Sequence, residues 1–102
     1  MKNESVWLGV AVLALSDANP KREEGFVGAY AGFASKAATI WEAVAALARE
    51  FDENGFYLLG FENMLPAECL DRELTTYERE LLRATEEYPV QFKDVHLHKS
   101  DG

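Results

Sequence analysis

Val6-Trp7-Leu8-Gly9-Val10-Ala11-Val12-Leu13-Ala14-Leu15 runs for ten residues without one polar side chain. A strand with one wet face alternates apolar and polar residues, so this run predicts a strand covered on both faces. A chain of 102 residues has material for one core and a single layer of helices. Cover for the second face is therefore expected from outside the monomer, most simply from a second copy in a homodimer.

The elements around the run complete the pattern. Ser16 to Gly25 is a polar loop rich in turn residues, and Phe26 to Phe33 reads as a second strand pairing with the first as a hairpin. In it Gly28 and Gly32 share a face with Phe26 and Tyr30, leaving gaps for another backbone or a large side chain. Ile40, Trp41, Val44, Leu47, Ala48 and Phe51 recur at helical spacing. They predict a helix over 36–53, with Ser35 as N-cap and Gly55 as its stop. Phe56 to Phe61 reads as a buried third strand, and Met64-Leu65-Pro66 breaks it. Leu70, Leu74, Tyr77, Leu81, Ala84 and Tyr88 give the seam of a second amphipathic helix ended by Pro89. Thr75 and Glu78 offer a capping box, and with it a break near Leu74. Val90 to His98 is a last strand whose alternation slips at Lys93-Asp94, as a bulge requires. Lys99 to Gly102 is read as a tail.

Strand, strand, helix, strand, helix, strand predicts a single α+β domain over 1–102. It is read as a two-layer sandwich in the order ββαβαβ, a four-stranded sheet with two helices on one face.

A formal charge of −8 argues against nucleic acid or an anionic membrane as partner and points to a basic one. Residues 1–49 carry five acids and five bases, whereas residues 50–102 carry thirteen acids and five bases. The lone Cys69 has no partner for an internal disulfide, which fits a reducing cytoplasm. Lys2, the apolar run, Ser16 and Ala18 imitate a signal peptide, but Glu4 spoils its basic start and an uncleaved strand is expected. The run is too short to span a bilayer as a helix.

Glu50, Asp52 and Glu53 fall at the C-terminal end of the first predicted helix, where the macrodipole disfavours them. Carboxylates placed against a local rule suggest a partner-binding surface. Glu62, Glu68, Asp71 and Glu73 extend that set, and none matches a calcium loop, phosphate loop or nucleophile elbow. No catalytic residue and no cofactor is assigned. His96 and His98 share one side of a strand, with Asp94 nearby, but lack a committed third ligand, so no metal site is expected. Trp7, Trp41, Tyr30 and Phe33 are read as core, except where an aromatic falls on a sheet face without helices.

Gly28-Ala29-Tyr30, Ser35-Lys36, Ala43, Leu47, Gly55-Phe56 and Glu62 together resemble a group of small bacterial α+β proteins. Such small acidic proteins are similar to toxin-neutralising immunity proteins, and the resemblance implies a protein partner. The finish Val95-His96-Leu97-His98 departs from that group's aromatic histidine-threonine ending. The expectation is a cytoplasmic bacterial protein that binds another protein, in its sharpest form an immunity protein occluding a basic toxin. The alternative is a homodimer with a small-ligand or modest enzymatic site between subunits, including His96 and His98.

Overall fold

The apolar run becomes an inner strand of the sheet. In the computed structural model, which describes residues 4–99, β1 (Ser5–Leu15) lies between β2 (Phe26–Ala37) and β3 (Phe56–Pro66), and β4 (Val90–Lys99) closes the order β3-β1-β2-β4. Every pairing is antiparallel. The helices are α1 (Ile40–Glu53) and α2 (Thr76–Ala84). The α+β class with a four-stranded antiparallel sheet therefore holds, while 3-10 turns at Pro20–Glu24 and Ala67–Cys69 interrupt the expected order. Lys2 and the tail beyond Lys99 lie outside the described residues.

The expectation of two helices on one face is corrected. Ala11, Leu13 and Leu15 of β1, with Ala29, Ala31 and Phe33 of β2, pack against Leu47 and Phe51 of α1. Leu8 and Ala34, paired across the two strands and of opposite parity, pack against Leu81 of α2. Alternate residues of a strand face opposite ways, so the helices sit on opposite faces of the sheet. This also accounts for the apolar run: each face of β1 has its own helix, although α2 covers only one end.

Bulges keep the α1 face apolar to the edges. A register shift in β4, with Asp94 at φ 56°, returns Val95 and Leu97 to the same core as Val90 and Phe92. The parity slip in the sequence thus marks a real bulge. In β3, Asn63 at φ 54° and a second shift beside Leu59 do the same for Phe61 and Met64. β3 therefore continues to Pro66, past the expected break. Phe26 also joins the α1 core, and a shift between Phe26 and Gly28 separates it from the glycine face.

Both expected glycine gaps are filled. A Cβ on Gly28 would overlap the His98 imidazole, and one on Gly32 would stand 2.9 Å from the Tyr77 hydroxyl. That hydroxyl donates to the Lys93 carbonyl at 2.9 Å, which ties α2 to β4.

Helix ends follow local chemistry. Thr39, not Ser35, caps α1 by accepting from the Glu42 amide, because Ser35 is a fully buried residue of β2 whose hydroxyl has no partner among the described residues. Thr75 and Glu78 form the complete capping box of α2. Helix 2 is shorter than its seam because Leu70 and Leu74 pack beside Leu8 from the preceding loop. Of the aromatics read as core, Phe33 is buried and Trp7 half-buried, but Trp41 is 79% exposed on the first turn of α1.

Candidate partner-binding site

Fourteen residues of α1 rise only about 21 Å, while the twelve residues of β2 extend about 40 Å. The helix therefore covers only part of the sheet's length. A groove of about 660 Å³ opens past its last turn, with Phe56, Phe92, Val95 and Leu97 as an apolar floor. Asp52 and Glu53 stand on one wall and Pro20 and Lys21 on the other.

The walls are held by short-range chemistry. Gly55 takes φ 88°, which turns the chain from α1 into β3. Its carbonyl accepts from the Ser16 amide at 2.9 Å and from Asn19 Nδ2 at 2.8 Å. The Asn19 carboxamide oxygen accepts from the Lys21 amide at 3.0 Å, starting the 3-10 turn. One asparagine thus joins the loop to the helix end.

The groove is electronegative. No base occupies the last turn of α1, so Asp52 and Glu53 add their charge to the negative pole of the helix. Lys21, across the groove, pairs with Glu24 at 3.2 Å. Glu50 points elsewhere: it accepts from the Tyr88 hydroxyl at 2.9 Å and holds that phenol above the usual tyrosine range. Its role is to fasten the segment after α2 to α1.

The other acids lie apart. Glu62 is exposed on the α2 face of β3, opposite Val10. Glu68 accepts from the Ser5 hydroxyl at 2.6 Å, which lowers its carboxyl pKa, and Asp71 and Glu73 are exposed in the following loop. Ser5 and Leu15 bound the eleven residues of β1, so this group stands about 33 Å along the strand from the α1 end. The expected single acidic surface is therefore two separate ones. A second groove, of about 460 Å³ and lined by Leu8, Val10, Leu65, Leu70 and Leu81, opens at the α2 end, where Glu78 is held by Arg72, whereas the α1 end sets its apolar floor beside Asp52 and Glu53. Sequence reasoning missed that floor, although the slip at Lys93-Asp94 was the signal that Val95 and Leu97 rejoin the core face.

His96 and His98 are exposed on the α2 face, and the His98 ring lies 5.4 Å from that of Tyr30. Among the described residues no three His, Cys, Asp or Glu side chains converge as a metal site. Cys69 is exposed and free. No helix among the described residues is long and apolar enough to cross a membrane.

The strongest ion pair guards the start of α2. Arg72 donates to both Glu78 oxygens, at 2.6 and 2.8 Å, and the Thr75 amide adds a third bond at 2.9 Å. Chiefly through Arg72, the Glu78 carboxyl falls from 4.5 to about 2. A depressed folded-state value stabilises the fold fully above the unfolded value of about 4.3. That contribution drains away as pH drops from there through about 2. Glu78→Gln is expected to cost on the order of 1 kcal/mol at pH 7, limited by the half-exposed Arg72, and little near pH 2. Urea midpoints at pH 7, 4 and 2 check this; an equal loss at all three would contradict the ionic origin.

Compared with models of known protein families, with curated proteins and with solved structures, the chain matches none.

Proposed function

We propose that this chain acts by binding another protein, which lays a basic, amphipathic segment into the groove past the end of α1. The observation that carries the reading is the pairing of an apolar floor, Phe56, Phe92, Val95 and Leu97, with Asp52 and Glu53 on its wall. Aliphatic stems of lysine or arginine pack on such a floor while their charged heads reach the carboxylates. The net charge of −8 adds long-range attraction that speeds encounter. In its sharpest form the partner is a basic toxin and this chain a cytoplasmic immunity protein that occludes it. That form rests on the acidity and on the resemblance of residues 28–62 to small bacterial proteins.

The test is a titration with a peptide alternating lysine and leucine, with a glutamate-leucine peptide as control, followed by amide chemical shifts. The lysine peptide is expected to move Asn54, Gly55, Val95 and Leu97. Affinity should fall about tenfold or more with Asp52→Lys and Glu53→Lys together, the equivalent of about 1.4 kcal/mol. It should also fall steeply as salt shortens the Debye length to about 8 Å. The double variant should fold at least as stably as the parent, since lysine suits a helix C-terminus. Shifts confined to the Glu68, Asp71 and Glu73 end, or binding indifferent to both salt and substitution, would refute the reading.

A further inference from the structure

We propose that a second copy of this chain covers the open half of the α2 face, forming a weak two-fold dimer. The nine residues of α2 rise about 13 Å and dock over Leu8, Gly32 and Ala34, at one end of the sheet only. Beyond Tyr77 the same face continues through the half-buried Val10, Val12 and Ala14, flanked by Tyr30, 41% exposed, and Tyr57, 47% exposed, with the exposed Glu62, His96 and His98 toward its edges. Val10, Val12 and Ala14 are the part of the apolar run that α2 does not reach.

The step made by α2 selects the occupant. A helix is about 10 Å thick, and stacked sheets also lie about 10 Å apart. A broad flat partner would be propped off the open half by α2. A partner fits when it offers a sheet face that stops where α2 begins, with its own bulk beyond the free end. A second copy, turned about an axis in the sheet plane and perpendicular to the strands, has that shape. Its open half then rests on this one, and its α2 passes the end of β1. An axis parallel to the strands would drive one α2 into the other. With the allowed axis near Val12, Val10 faces Ala14 of the partner subunit, and the contact is isologous.

Area sets the strength. Four strands at about 4.8 Å and five residues at about 3.3 Å give a footprint near 320 Å² per copy. Side-chain relief and the two α2 flanks bring the total to about 1,000 Å², the lower edge of specific interfaces. The dimer should therefore be weak and reversible. Asp52 and Glu53 stand on the other side of the sheet and Glu68, Asp71 and Glu73 at its far end, but Glu62, exposed opposite Val10, lies within the footprint and adds repulsion between the copies. Whole-molecule repulsion between two copies of charge −8 remains. Salt should thus strengthen this association, whereas it weakens binding of a basic peptide in the groove.

Sedimentation velocity from 5 to 500 µM tests the proposal at low and high salt. A dimer is expected to appear as concentration rises and to gain from salt. Tyr30→Asp and, independently, Val12→Lys should each weaken it at least tenfold. Amide spectra establish that each variant folds, and Tyr30, being partly exposed, tolerates the change. Trp41→Lys, on the outer side of α1, should leave the dimer intact. A monomer at 500 µM in high salt, or a dimer that survives Tyr30→Asp in a folded variant, overturns the proposal. So does one that is lost with Trp41→Lys. None of these outcomes bears on the groove.

Discussion

Phe51→Ala is expected to remove about 3–5 kcal/mol of stability, the largest loss from any single substitution considered for this chain. Phe51 is 0% exposed on the last turn of α1, and its ring centroid lies 4.7 Å from that of Phe92. It packs in the same cluster as Leu13, Leu15 and Leu47, so its truncation leaves a cavity in a close-packed interior. Small domains are stable by only about 5–15 kcal/mol in total, so the variant should unfold readily near body temperature. In urea the midpoint should drop by about 2–3 M with little change in slope, for a slope near 1.5 kcal/mol per M. The loss also reaches the groove. Phe92 is part of its floor, so Phe51→Ala should weaken a lysine-leucine peptide even where the variant is still mostly folded. A stability loss below about 1 kcal/mol would mean that α1 is not seated on the sheet through Phe51.

Much of the architecture was legible because particular residues leave few choices. An apolar run of ten residues excludes a strand with a wet face, and β1 is an inner strand with a helix on each side. The parity slip at Lys93-Asp94 has no regular solution, so it required a bulge, and Asp94 takes the positive φ that bulges accommodate. Gly28 and Gly32 promised close approach, and His98 and Tyr77 supply it. Thr75 and Glu78 carried their cap in the sequence.

What was misread shares one cause. Helical periodicity shows that a helix has an inner side, but it does not say which face of a sheet receives that side. The seam through Leu70, Leu74, Tyr77 and Leu81 was real, yet its first members are loop residues packing on Leu8. The same silence hid the site. Carboxylates at 50–53 and 68–73 look continuous as one acidic half, whereas the strand between Ser5 and Leu15 holds them at opposite ends. Trp41 fits the apolar stripe of α1 by spacing and still lies outside it. Nothing in the surrounding structure explains why a tryptophan occupies that exposed turn.

Leu81→Ala is expected to release α2 while the sheet and α1 stay folded. Leu81, at 2% exposure, is the only fully buried residue of α2, and it seats between Leu8 and Ala34. Its truncation should cost about 2–4 kcal/mol at that contact. Besides the half-buried Tyr77 ring over Gly32, the ties that remain are polar and partly exposed: Tyr77 to the Lys93 carbonyl, Gln91 to the Ala84 carbonyl, and Lys93 to Glu80 at 3.0 Å. Each is worth about 1 kcal/mol or less. A free helix of nine residues is far too short to persist in water. The amides of Arg79 and Thr85, which donate within α2 to Thr75 and Leu81, should therefore exchange with hydrogen almost as fast as loop amides. Amides of β1 and β2, held by the larger α1 core, should lose much less protection. The bared face should also bind a hydrophobic dye, since Leu8 and Ala34 would join Val10 and Val12 in solvent. Uniform loss of protection across both helices and the sheet would show that α2 folds as one unit with the rest, and that its small footprint understates its hold on the fold.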